Sequence, residues 1–163
     1  MTGQKDRYST TEKLWKLDDE TLKTPDHDKL VLMLLDENYL KQKIEPILPK
    51  TPENFELVLH DLKSEYPIFP SKNHNFIIGY WDVVVLYERY NNTELRNHTA
   101  VLIECKPKVI SFGKTLRQLR TYLSYPFIYD GEPWWAKTIP ILFTPDVQFK
   151  KAFESQGIMV LHP

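Results

Sequence analysis

The feature that most constrains this chain is a pair of apolar stretches, NFIIGYWDVVVLYERY (75–90) and TAVLIECK (99–106), joined by the polar NNTELRNH (91–98). Both stretches are rich in β-branched and aromatic side chains, the composition of strands. The joining segment carries turn chemistry. Two strands connected in this way predict a β-hairpin with a polar loop.

The flanking segments decide what packs on that hairpin. TPDHDKLVLMLLDENYLKQKI (24–44) predicts one long helix. Thr24 or Asp26 can cap it, Pro25 suits its first turn, and acids near its start favour the positive helix end. Its centre is apolar nearly all round, so burial is expected. The next stretch, 46–70, is punctuated by Pro46, Pro49, Pro52 and Pro67. There Phe55, Leu57 and Leu59 alternate as in a strand, while a short helix from Glu53 to Leu62 fits as well. SEYPI within it reads as extended, because a residue before proline avoids helix. After Pro107, SFGKTLRQLRTYLSY (111–125) predicts a helix capped by Ser111. IPILFT is then a strand, PDVQFKKAFESQG a helix closed by Gly157, and IMVLH a last strand. This order predicts an α/β sandwich around a mixed sheet. Residues 1–23 are polar and charged and read as an arm or short helix; 24–163 read as one domain, large enough for a real core.

Within TAVLIECK, Glu104 and Lys106 interrupt an otherwise apolar strand. Side chains alternate across a strand. Leu102, Glu104 and Lys106 therefore share one face, Val101, Ile103 and Cys105 the other. Glu104 and Lys106 are expected to point together toward an open edge, with Cys105 in the core. Asp82 opens the apolar run of the partner strand, and Gly79 before it permits a bend. Antiparallel pairing then brings Asp82 toward Glu104. Carboxylate oxygens suit a hard ion such as Mg²⁺, which keeps some waters and accepts phosphate oxygens. Such an ion acidifies a bound water and offsets charge on a phosphate. Lys106 can orient or deprotonate that water. The chemistry is phosphodiester hydrolysis.

Composition narrows the partners. The net charge of −1 excludes a bulk-basic nucleic-acid binder, so any positive surface must be local. From Lys106 to Arg120 the chain carries Lys106, Lys108, Lys114, Arg117 and Arg120 and no acid, a patch of that kind. On the helix there, Phe112, Leu116, Leu119 and Leu123 form the core face, and Lys114, Gln118 and Tyr122 a stripe along its edge. The single cysteine, Cys105, excludes an internal disulfide and a cysteine-built zinc site, and fits a reducing, cytoplasmic setting. The opening MTGQKDRYSTTEK has no apolar signal core, and the aliphatic run LVLMLL is too short for a membrane span. No histidines stand at metal-ligand spacing, so zinc is not expected. His27 in TPDHD reads as a helix-start contact rather than a substrate contact. Trp134 and Trp135 read as packing residues rather than base-stacking or dimer contacts.

GYWD followed by IECK resembles the PD-(D/E)xK nuclease superfamily, with its restriction-endonuclease-like fold. The family motif is an aspartate, a variable gap, then Glu-x-Lys; Asp82, Glu104 and Lys106 match it residue by residue. Trp81 stands where the family name has proline, a loose position in the superfamily. Gln118 and Tyr122 in QLRTY resemble the Gln-x-x-x-Tyr motif of the RecB-like and CRISPR-associated branch. Together with TPDHDKLVLMLL, SEYPI, LFTPD and FESQGIMVLHP, the chain looks like small stand-alone nuclease-fold proteins of phages and bacterial mobile DNA, over roughly residues 24–163. The resemblance implies a Mg²⁺- or Mn²⁺-dependent deoxyribonuclease leaving a 5′-phosphate. Asp82 and Glu104 would bind metal and Lys106 would handle the water. Gln118 would support the catalytic site, and Tyr122, Lys108, Lys114, Arg117 and Arg120 would contact the substrate strand. An upstream acid usually completes such sites: Glu65 is the first choice, Glu37 the second. Two alternatives stand beside this one. The first is a catalytically silent member acting as a DNA-binding or structural factor. The second is a homodimeric junction- or site-specific endonuclease of the resolvase or homing type, since one subunit makes one nick.

Overall fold

Thr24 caps helix α1 (Pro25–Leu34): its side-chain oxygen accepts the His27 N–H, and Pro25 fills the first turn. The helix expected over 24–44 is two. The Asp36 side chain accepts the N–H groups of Asn38 and Tyr39 and starts a separate α2 (Glu37–Lys43), followed by a 3₁₀ turn (Glu45–Ile47). An aspartate that bonds its own backbone two and three residues on competes with continued helix. Nor is α1 buried all round: it buries one stripe, His27, Leu30 and Leu34, and leaves Leu32 exposed.

The ambiguous segment is a strand, β1 (Phe55–Ile68). The computed structural model describes residues 24–50, 55–74, 76–134 and 137–163. The expected N-terminal arm, the start of the alternative 53–62 helix and Trp135 lie outside the described residues. The hairpin is β2 (Gly79–Asn91) with β3 (Glu94–Cys105). Its turn is only Asn92 and Thr93, with Asn92 at φ 56°; the ELRNH expected in the loop extends the strand instead. Ser111 caps α3 (Phe112–Leu123) by accepting the Lys114 N–H. A small hairpin follows, β4 (Ile128–Tyr129) and β5 (Glu132–Pro133), which periodicity alone passes over. Its Asp130-Gly131 turn has φ 50° and 79°, the paired positive values of a tight hairpin. Beyond β6 (Lys137–Phe143), the helix expected over 145–157 shortens to α4 (Lys150–Glu154), with Gly157 at φ 78° ending it before β7 (Met159–Leu161).

The strands form one five-stranded sheet, β1-β2-β3-β6-β7. The β1-β2 and β2-β3 pairs are antiparallel, the β3-β6 and β6-β7 pairs parallel. This is an α/β fold with a mixed central sheet flanked by helices. Successive residues of β2 and β3 feed opposite faces. On one face Leu30, Leu34, Leu40 and Ile44 of the α1–α2 region cover Val83, Val85, Val101 and Ile103. On the other, Leu116 and Leu119 of α3 and Phe153 of α4 cover Val84, Leu86, Leu102 and Leu142. Each such aliphatic side chain contributes roughly 1.5–3 kcal/mol of burial. Among the described residues no helix is long and apolar enough to cross a membrane.

Candidate active site

The site forms where β2 begins and β3 ends. Val83 pairs with Ile103 and Val84 with Leu102; one more step on that register sets Asp82 opposite Glu104. Asp82 is 1% exposed, Glu104 4% and Lys106 6%. Glu104 and Lys106 therefore do not point to an open edge; the sheet end is closed over, and α3 supplies part of the cover.

Burying a carboxylate is costly unless it is hydrogen-bonded, and both acids have specific partners. Asp82 Oδ2 accepts the Cys105 N–H at 2.7 Å, and its Oδ1 lies 3.0 Å from His27 Nε2. Glu104 Oε1 accepts from Gln118 Nε2 at 2.9 Å and lies 3.5 Å from Lys106 Nζ. Gln118 Nε2 also donates to the Tyr122 hydroxyl oxygen at 3.3 Å. The Lys106 N–H donates to the Phe143 carbonyl at 3.0 Å and extends the β3-β6 ladder. Because Cys105 lies between Glu104 and Lys106, its bond ties Asp82 to the strand end that carries both.

Two local features shape this end. Gly79 is a point of close approach: a Cβ there would meet the Tyr122 ring and hydroxyl at 2.7–2.8 Å. In addition, β2 loses its alternation. Trp81 packs on the α3 face, edge-on to Tyr122, while Val83 packs on the α1 face and Asp82 reaches His27 of α1. Beside this break, Glu65 on β1 falls between the Ser64–Val83 and Tyr66–Trp81 pairs with φ 51°. Non-glycine residues rarely adopt that left-handed backbone outside strained or functional positions.

His27 is the site residue that sequence reasoning missed. It does start α1, but its buried ring contacts Asp82; the only sequence signal was a histidine in the first turn of a capped helix. Glu65 is partly buried on β1. Glu37 is exposed and begins α2 rather than ending a long helix. It lies beyond the far end of α1, an end about 10 Å along the axis from His27 by helical rise. Lys108, Lys114, Arg117 and Arg120 are exposed on and before α3, and Arg120 bonds Gln156 after α4.

Asp146 braces the two loops that leave this end of the sheet. Its carboxylate accepts the Gln148 N–H at 3.0 Å and, from the loop after β3, the Val109 N–H at 3.1 Å. The Gln148 N–H and then the Val109 N–H, with Lys108 nearby, hold its carboxyl below the usual range.

Asp82 and Glu104 offer hard oxygen donors of the kind Mg²⁺ takes one or two at a time, with waters and substrate phosphate supplying the rest. Among the described residues no three His, Cys, Asp or Glu side chains gather as a ligand group. Two carboxylates fit an ion shared with substrate rather than a fully protein-built cage. No family model, curated protein or solved structure matches the chain.

Proposed function

We propose that this chain is a divalent-metal-dependent DNA nuclease of the restriction-endonuclease-like type, acting through Asp82, Glu104 and Lys106. The observation that carries this reading is that two carboxylates and an ammonium lie more than nine-tenths buried at one end of two paired strands. Apolar side chains of similar volume would leave a fold as stable or more so. Buried charge concentrated at one point is characteristic of functional sites. The match to Asp…Glu-x-Lys and Gln-x-x-x-Tyr adds the reaction class. The mixed sheet, with the Glu-x-Lys strand between an antiparallel and a parallel neighbour, is compatible with it.

Asp82 and Glu104 would hold Mg²⁺ or Mn²⁺, which when bound offsets phosphate charge and acidifies a water. The chain's own groups do the positioning. Gln118 orients Glu104, Tyr122 orients Gln118, and His27 with the Cys105 N–H orients Asp82. Lys106 presents N–H donors to a water or a phosphate oxygen and is placed to exchange a proton there. Lys108, Lys114, Arg117 and Arg120 attract the phosphate backbone.

One observation favours the silent alternative: each carboxylate has protein partners, which together form a polar network able to stand by itself. The test is incubation of purified protein with single-stranded, duplex and branched DNA in Mg²⁺, Mn²⁺ or EDTA, beside Asp82→Ala and Lys106→Ala. Cleavage by wild type only, dependent on metal and reduced at least ~100-fold in either variant, is the expected result. The same background for wild type and Lys106→Ala in every metal would leave the DNA-binding or structural role. Nicks as opposed to double-strand breaks in the duplex separate a single acting subunit from a dimeric endonuclease.

A further inference from the structure

Beside the carboxylates, on the α3 face of the sheet, lies a cavity of about 210 Å³. Trp81 and Leu102 form its buried floor; Tyr122, Tyr125 and Phe127 wall it, and Thr138 stands exposed at its rim. Among the described residues no charged side chain lines it. Its floor is continuous with the candidate site: Trp81 directly precedes Asp82, and Leu102 lies two residues before Glu104, roughly 7 Å along the strand. Tyr122 is shared outright, its ring facing the cavity and its hydroxyl accepting from the Gln118 that holds Glu104.

We infer that this cavity receives one unpaired nucleobase of the substrate strand, adjacent to the bond being cut; the inference rests on the nuclease reading above. Aromatic walls stack on any base, because every base has a π-face. The uncharged lining suits a base and excludes a phosphate, while the neighbouring carboxylates with a bound cation suit the phosphate and not the base. The two sites are one nucleotide's reach apart. A base within a duplex would first have to leave the stack. The substrate class is therefore single-stranded DNA, or the frayed ends and flaps of duplexes, rather than intact duplex.

The test uses oligonucleotides of one sequence, each with one abasic position, and maps their cleavage in Mg²⁺. In parallel, binding of the same strands is followed by fluorescence anisotropy with Ca²⁺, another oxygen-ligated dication, in place of Mg²⁺. Thr138→Trp blocks the cavity from its exposed rim, and the abasic series needs no variant at all. The expected result is that loss of one base, at a fixed offset from the cut, slows cleavage and weakens binding about tenfold or more. Thr138→Trp should erase that difference, and single strands should be cut faster than duplex. If every abasic strand is cut and bound like its parent, the cavity is not a base site, and the nuclease reading stands. If nothing is cut in any metal, the nuclease reading fails and anisotropy decides the cavity: a base-dependent affinity sensitive to Thr138→Trp keeps it, and equal affinity or no binding removes it.

Discussion

Asp82 is almost wholly buried, and burying a carboxylate costs stability that its hydrogen bonds must offset. Asp82→Asn keeps an oxygen for the Cys105 N–H and removes one buried charge. The expected outcome is a melting temperature equal to wild type, or raised by up to ~1 kcal/mol of stability, with cleavage down at least ~100-fold. A clear drop in melting temperature would instead mark the aspartate as structural. Gly79 makes a second residue-level case. With the Tyr122 ring and hydroxyl 2.7–2.8 Å from where a methyl group would sit, Gly79→Ala should cost about 1–3 kcal/mol. Most of that cost should vanish in a Tyr122→Ala background, read as a double-mutant cycle in chemical denaturation. Glu104, Lys106 and Gln118 were legible because alternation and helical spacing are local properties, and Asp82 because it is the one charged residue in the apolar run 79–87. His27 was not, because its contact with Asp82 joins segments far apart in the chain.

Elements were legible where apolar pattern and terminal chemistry agree, as in α3 with its Ser111 cap and in the β2-β3 hairpin. They were misread where a single side chain overrides periodicity. Asp36 splits the first helix, and Asp130-Gly131 turns a loop into a hairpin. Asp146 acts at the same scale by tying the loop after β3 to the loop after β6. Its folded pKa is depressed from the ordinary 3.8. The stability it contributes is therefore present above that value and lost as pH falls through the folded pKa below it. Asp146→Asn should melt lower than wild type near neutral pH, and the gap should close as pH falls through the depressed carboxyl pKa. A gap that persists unchanged in acid would show that the carboxylate charge plays no part in the brace.

At the scale of the molecule, the sheet order puts β3 at the centre, with α1–α2 on one face and α3–α4 on the other, so the β2-β3 end can be approached by side chains from both layers. An ion bound there stabilises the whole fold by mass action, by ~2.7 kcal/mol at one hundred times its Kd. Saturating Mg²⁺ or Mn²⁺ should therefore raise the melting temperature of wild type over EDTA, and Asp82→Ala should show no such rise. Equal melting of wild type with and without metal, in the presence of a single strand, would count against a metal site. Element order was enough to give an α/β class with a mixed sheet. It left open which strand is central and how short α4 is, because both depend on pairing between segments distant in the chain.

The sequence by itself determined the hairpin, the helix caps, the acid and Glu-x-Lys on neighbouring strands, and the glutamine and tyrosine on one helix edge. These rest on interactions within a few residues, which periodicity and side-chain chemistry express directly. Only the tertiary structure decided that Glu104 and Lys106 are buried rather than open. The same holds for His27 meeting Asp82, for the close approach of Tyr122 to Gly79, and for the aromatic cavity beside the carboxylates. Each of these depends on the distance between separate layers of the fold, which packing sets and local pattern does not encode.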